Sequence, residues 1–290
     1  MTYRLLLGIV LCAAAATSLS AQDANEPQDS LGWSHEFGLG LNITQSKYSN
    51  WVAGGEDTFA WQFSLMNADT LFQSTYDWAN TLQFDFGQTQ IGSADARKNV
   101  DELVFESIFT YKVNIYVNPY VSFKLRTQVA DGFQYEDTET GTVRTKVSGL
   151  FDPAYLTQAF GVGYTPYKDV NTRLGLAVKQ TIANDFAALY SDDPETPDEI
   201  ETSRVEVGMQ SVSTAKLPLS NTIAYKGRLE LFTDFASVED VDVNFDNIIE
   251  GKLNEIISVN LNVRLQYDND VSSKRQLAQI LSVGFSYIFW

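Results

Sequence analysis

Cysteine is nearly absent from this chain. The single Cys12 lies within the first 21 residues, so the remainder has neither a disulfide nor thiol chemistry. Histidine is equally scarce. His35 stands alone, which leaves a Ser-His-carboxylate triad or a His-rich zinc site without a second candidate. Basic residues are few, 20 Lys and Arg against 37 Asp and Glu, for a formal charge of −17. Such acidity argues against binding to nucleic acid. Long apolar runs are missing too. After residue 21 no stretch approaches the roughly 18–20 consecutive apolar residues of a membrane helix. A helical membrane protein is therefore excluded, but a β-barrel is not, because its apolar residues alternate with polar ones.

What is present is a chain of 290 residues with 44% hydrophobic and 13% aromatic residues, too apolar for disorder. Its first 21 residues read as a signal peptide. Arg4 supplies the positive n-region, Leu5 to Ala16 form a short apolar core, and small residues run to Ala21. A lipidation site at Cys12 is the rival reading, but Leu11 precedes it where a small residue is required. Residues 22–32, polar and containing Pro27, read as a short periplasmic lead-in, and residues 33–290 as the membrane domain.

From Trp33 onward one pattern repeats: an alternating segment, a break, another alternating segment. Tyr76, Trp78, Leu82, Phe84 and Phe86 fall on one face, and Thr75, Asp77, Thr81, Gln83 and Asp85 on the other. Ile257, Val259, Leu261, Val263, Leu265 and Tyr267 alternate in the same way with Ser258, Asn260, Asn262, Arg264, Gln266 and Asp268. Period two is the signature of a strand, and a one-residue slip would exchange the faces. About twelve such segments occur, near 33–45, 57–67, 72–90, 101–113, 116–130, 154–165, 171–183, 202–215, 220–235, 240–253, 256–268 and 277–290. Many reach the 9–11 residues that a tilted strand needs to cross a bilayer. The breaks alternate short (67–71, 113–115, 166–170, 217–220, 254–255) and long (46–56, 91–100, 131–153, 184–201, then 236–239 and 269–276). The pattern predicts an all-β fold: a closed antiparallel transmembrane β-barrel of about 12 strands, with short periplasmic turns and longer extracellular loops, in the bacterial outer membrane.

The inward face carries the charges. The register turns Lys124, Arg126, Arg173, Lys179, Arg204, Arg228 and Arg264 inward, together with Asp85, Glu106, Glu206, Glu230 and Asp246. The wider inward set holds ten groups of each sign, so the lumen is near neutral. Such charges either pair across the bore and seal it, or form opposed arcs that orient polar solutes. Twelve strands lie between a filled eight-stranded barrel and an open porin, so both readings stand. His35 shares the apolar face with Trp33 and Phe37 while Ser34 points the other way, which reads as a girdle histidine rather than a catalytic one. In the first long loop Trp51, Gly54, Gly55 and Glu56 are candidates for an inward fold or a contact surface. The acidic loop 185–201 lacks the order of residues of a calcium loop and reads as solvated.

Several short motifs support a resemblance: Ser49-Asn50-Trp51 with Gly54-Gly55-Glu56, Phe151-Asp152-Pro153 with Tyr155-Leu156, Tyr267-Asp268-Asn269-Asp270, and Gly284-Phe285-Ser286-Tyr287. Together they resemble a family of bacterial outer-membrane proteins known as domain of unknown function 3078. The resemblance covers nearly all of the chain after residue 21. It implies an outer-membrane barrel and brings no activity, cofactor or catalytic residue. Phe285, Tyr287 and Phe289 also resemble the terminal signal read by the barrel-assembly machinery, with Trp290 one residue beyond the expected end.

The sequence thus predicts a porin-like barrel, a narrow pore for small polar solutes or ions. The alternative is a non-conducting structural or binding barrel whose acidic loops contact a partner, glycan or lipopolysaccharide. No enzyme, cofactor or metal site is expected. The expected partners are outer-membrane lipid and lipopolysaccharide, and the assembly machinery during biogenesis.

Overall fold

The computed structural model describes residues 31–289 except 50, 51, 54, 140, 193–198, 239 and 269–271. The expected signal peptide, most of the lead-in, Trp51, Gly54, the middle of the acidic loop and Trp290 lie outside the described residues. Twelve strands close into one antiparallel barrel: β1 (Gly32–Ser46), β2 (Thr58–Phe72), β3 (Tyr76–Ile91), β4 (Arg97–Tyr111), β5 (Val117–Thr127), then β8 (Ala154–Tyr167), β9 (Val170–Ile182), β10 (Ser203–Pro218), β11 (Ile223–Asp234), β12 (Val241–Lys252), β13 (Ile257–Asp268) and β14 (Ser272–Phe289). The two strands between β5 and β8 are β6 (Gly132–Thr138) and β7 (Gly141–Ser148), a separate hairpin. A single helical turn, α1 (Ala187–Tyr190), sits between β9 and β10. Among the described residues no helix is long and apolar enough to cross a membrane.

Closure comes from β1 pairing with β14, Phe37 opposite Phe289 through Asn42 opposite Gly284. With no free edge in the barrel, its strands find their backbone partners within the sheet, the condition hydrocarbon imposes. Leu41, Phe160, Val162, Leu174, Val205, Leu277 and Leu281 stand exposed on the outer wall. A soluble fold would bury such rows.

Three boundaries differ from expectation. The break placed at 67–71 lies inside β2, and the chain turns at 73–75, where the Gln73 amide donates to the Tyr76 carbonyl at 2.9 Å. Asn67-Ala68-Asp69-Thr70 has the composition of a turn, yet its alternate residues continue the ladder. The break at 131–153 contains the β6–β7 hairpin. β14 starts at Ser272, inside the break placed at 269–276. The long-loop end is consequently uneven. Substantial connections span 47–57, 128–153 and 183–202, whereas β13 passes to β14 through 269–271 alone.

Inside, the β8–β9 wall is built from small residues. Gly161 and Gly175 face each other. A Cβ on Gly161 would lie 2.1 Å from the Leu174 carbonyl oxygen, and one on Gly175 would lie 2.8 Å from the Tyr120 hydroxyl. Only glycine permits this approach. Tyr120 fills the space, packing with Ala159, Ala177 and Phe232, and with Ile108 beside them.

Candidate functional site

The register of each strand turns alternate side chains inward, but which of them meet depends on the curvature of the closed sheet. Glu106 on β4 accepts two bonds from Arg228 on β11, Nη1 to Oε2 at 3.0 Å and Nη2 to Oε1 at 3.1 Å. It also accepts from Arg173 on β9 at 2.8 Å. Glu230, two residues along β11 from Arg228, takes the Lys124 ammonium from β5 at 2.7 Å on both oxygens and Arg228 Nε at 2.7 Å. Arg264 on β13 pairs with Asp246 on the adjacent β12 and reaches Glu102 on β4 at 3.0 Å. Arg126 stands 3.7 Å from the same Glu102.

A second group lies nearer the long-loop end. Lys179 on β9 reaches Asp242 at 2.7 Å, and Glu206 and Asp268 at 3.4 Å each. Arg204 lies 3.5 Å from Glu206. Around the ring β4 is five places from both β11 and β13. Side chains on such opposite walls can touch only through the bore. Among the described residues these two groups join seven cations (Lys124, Arg126, Arg173, Lys179, Arg204, Arg228, Arg264) to seven carboxylates (Glu102, Glu106, Glu206, Glu230, Asp242, Asp246, Asp268). Arg173 and Glu106 are closely enclosed, their side chains 8% and 13% exposed, as are Lys179 and Glu206 at 13% and 7%. Bidentate guanidinium–carboxylate geometry and multiple partners are what make enclosed charges tolerable.

Of the residues singled out by sequence, eleven enter this web. Asp85 does not. It accepts from Ser64 at 2.5 Å, Gln62 at 3.3 Å and Gln83 at 2.7 Å, all uncharged. Glu102 was missed by the sequence reading, although it shares the even register of Glu106 on β4. Members of both groups line a cavity of about 230 Å³, with Lys124 and Glu230 from the first, Asp242 and Asp268 from the second, and Tyr155 and Phe232 beside them. The Arg126 guanidinium lies over the Tyr155 ring and the Lys179 ammonium over Phe232, at 5.2 and 5.4 Å from the ring centres. The wall opposite the densest part of the web differs in kind. The inner faces of β14, β1 and β2 carry Ala278, Ser282, Gly38, Gly40, Asn42, Gln62 and Ser64, none of them charged, with Glu36 following Gly38 toward the short-turn end of β1.

The first long loop is fastened through Asp57, which pairs with Lys47 and accepts the Tyr48 amide at 2.8 Å. The Lys47 ammonium, then the Tyr48 amide, hold the Asp57 carboxyl below its ordinary range. Gly55 (φ +155°) lies over the Tyr48 ring, and Glu56 lies beside Gly92. The acidic loop is pinned at its base. Asn184 and Asp185 amides donate to the Asp152 carboxylate at 3.0 and 2.8 Å, and the buried Ser191 hydroxyl donates to the Glu201 carbonyl at 2.6 Å. Phe151-Asp152-Pro153 is thus a staple between the β5–β8 connection and the β9–β10 loop. Phe151 holds φ at 53°, unusual for a side chain of its size.

His35 faces outward and stacks on Trp33. Ser107, which also faces outward, stands three strands away, about 14 Å at 4.8 Å per strand. The imidazole therefore cannot take the proton of that hydroxyl. Among the described residues no three His, Cys, Asp or Glu side chains are placed to hold a metal ion.

A closed barrel with an apolar outer wall and a charged, polar interior is a membrane barrel of the bacterial outer-membrane type. Solved structures similar to it include the translocator domain of the autotransporter NalP from Neisseria meningitidis, at 10% identity and a TM-score of 0.39, covering 91% of this chain and 90% of that one. An outer membrane channel from Pseudomonas putida F1 is similar at 11% identity and a TM-score of 0.42, covering 91% and 99%. The NanC porin is similar at 7% identity and a TM-score of 0.40, covering 88% and 98%. No curated protein matches the chain. Residues 43–133, from the upper half of β1 into β6, match the family described as protein of unknown function (DUF3078), the family that the sequence motifs resemble.

Proposed function

We propose that this barrel is a narrow porin-like conduit for small polar solutes or ions, constricted by the ion-pair web. Passage runs beside the stretch of β14, β1 and β2 that carries Gly38, Gly40, Asn42 and Ser64. The observation that carries the reading is the pairing of Arg228 and Arg264 with Glu106 and Glu102 across the bore. These contacts subdivide a lumen that twelve strands would otherwise leave partly open. Support for a conducting remainder comes from Gly38, Gly40, Asn42 and Ser64, which are neither charged nor fully enclosed. Fixed charges on one side of a bore and neutral dipoles on the other are how a constriction sorts solutes by size and polarity.

Planar-bilayer recording of the refolded barrel tests this. The expected result is a small conductance that rises when Glu106 and Glu230 are both replaced by alanine. Silence from both proteins, with folding verified, would leave the alternative of a non-conducting barrel, which the equal count of paired charges also suits.

A further inference from the structure

The outer wall contains a row that does not suit hydrocarbon. His35 on β1 pairs in register with Asp69 on β2, Asp69 with Asn80 on β3, and Asn80 with Ser107 on β4. Directly paired residues project to the same side of a sheet, so four polar side chains stand abreast on the outer face. The neighbouring row toward the short-turn end is Trp33, Leu71, Trp78 and Phe109. The row on the other side is Phe37, Asn67, Leu82 and Phe105. Apart from Asn67, which donates to Asp69, the polar line is flanked on both sides by apolar residues instead of lying beyond them.

Its depth follows from strand geometry. The row lies three to four residues from the short-turn ends of its strands. At about 3.3 Å per residue and a tilt near 40°, that is about 8–10 Å along the barrel axis, and a 15-residue strand rises about 38 Å. An apolar band about 25 Å tall, centred on the barrel, begins about 6 Å from each rim. The row thus falls about 2–4 Å inside the edge of the band, directly beneath the lipid glycerol and headgroup.

The side chains are organised there. His35 Nδ1 donates to Asp69 Oδ1 at 2.5 Å, and Asn67 donates to Asp69 Oδ2 at 2.6 Å. Trp78 Nε1 donates to the Ser107 hydroxyl at 2.9 Å, and that hydroxyl donates to Asn80 Oδ1 at 2.8 Å. A carboxylate only accepts, so Nδ1 carries the proton and Nε2 is left for a ligand. The Asn80 amide nitrogen has likewise no bond among the described residues. Trp33, His35, Asp69, Trp78, Asn80 and Phe105 line a groove of about 360 Å³. Trp33 and Trp78 approach to 6.2 Å between ring centres at one end of it. The groove joins one anionic group to an aromatic floor and free hydrogen-bonding atoms.

We propose that this groove binds the headgroup of an amine-bearing glycerophospholipid from the leaflet at the short-turn end. The ammonium rests on the Asp69 carboxylate, which retains accepting capacity beyond its two present bonds. A phosphate or ester oxygen takes the Asn80 amide, and the acyl chains lie along Trp33 and Trp78. A second copy of the barrel fits less well. An isologous contact through this row would set two Asp69 carboxylates toward each other. An anionic lipid lacks the group that Asp69 would hold.

The test is native mass spectrometry of the whole barrel, released from detergent after incubation with phosphatidylethanolamine or phosphatidylglycerol. The expected result is one additional bound phosphatidylethanolamine, retained about tenfold better than phosphatidylglycerol and lost in both Asp69→Leu and Asn80→Leu. Both substitutions make the lipid-facing wall more apolar and leave the bore untouched, so folding and conductance serve as separate controls. If either variant failed to assemble, the other would carry the comparison. Equal retention of the two lipids, unchanged retention in both variants, or a dimer that Asp69→Leu dissociates would each overturn the proposal.

Discussion

Arg228 on β11 and Glu106 on β4 meet in a bidentate pair across the bore, five places apart around a ring of twelve strands. Because Glu106 also takes Arg173, its loss leaves the enclosed Arg173 guanidinium without its carboxylate and Arg228 with Glu230 alone. Glu106→Ala is expected to destabilise the barrel by about 3–5 kcal/mol, the cost of leaving an enclosed charge without its partner. Urea unfolding in lipid vesicles measures this. A change below about 1 kcal/mol would mean that water already screens the pair.

Replacing Arg228 and Glu106 together removes both charges. Arg228→Met with Glu106→Gln should recover much of the stability lost in Glu106→Ala while leaving the bore less divided. The double variant should therefore conduct more than the parent at similar stability. Equal conductance would show that these two side chains do not limit passage.

Asp152 holds the amides of Asn184 and Asp185. Asp152→Ala leaves two part-buried N–H groups without acceptors, at a cost of about 1–3 kcal/mol. The effect should be local, seen as faster hydrogen exchange and proteolytic cutting within 183–202 and no change in heat-modifiability of the barrel on gels.

Gly161 has no room for a larger residue. Gly161→Val would drive a side chain into the Leu174 carbonyl, already 2.1 Å from where a Cβ would stand. Assembly should fail outright, with the heat-modifiable band absent, whereas Gly251→Ala, whose Cβ would have its nearest contact at 3.8 Å, should assemble normally.

The lowered pKa of Asp57 has a definite sign. The ionised carboxylate is favoured in the folded loop, so its contribution is present above the ordinary carboxylate range and lost as pH falls through and below it. Limited proteolysis at 47–57 should accelerate below about pH 4 and do so much less in Asp57→Asn, which has already lost the charge.

The alternation of β13 was legible because its outer row is uninterrupted Ile, Val, Leu and Tyr, and that of β14 because only Gln279 breaks the outer row Leu277, Leu281, Val283 and Phe285. The end of β2 was not, because Asn67 and Asp69 sit on the outer face where the pattern demands apolar residues. Asp69, a member of the external polar row, and Asn67 beside it were the residues that imitated a turn. The β6–β7 hairpin alternates Phe133 and Tyr135 with Gln134 and Glu136 over too few residues to stand out among loop sequence. For the interior, period two identified which charges point inward but carried no information on who meets whom. Arg228 and Glu106 are 122 positions apart in sequence. Their meeting follows from the number of strands and the level each occupies, quantities that emerge only when the sheet closes.

The matched seven cations and seven carboxylates have an electrical consequence. A fixed-charge region with no surplus of either sign accumulates neither cations nor anions from solution. A salt gradient imposed across such a passage would set up little diffusion potential of the web's making, and discrimination would fall to the dimensions and dipole of the solute.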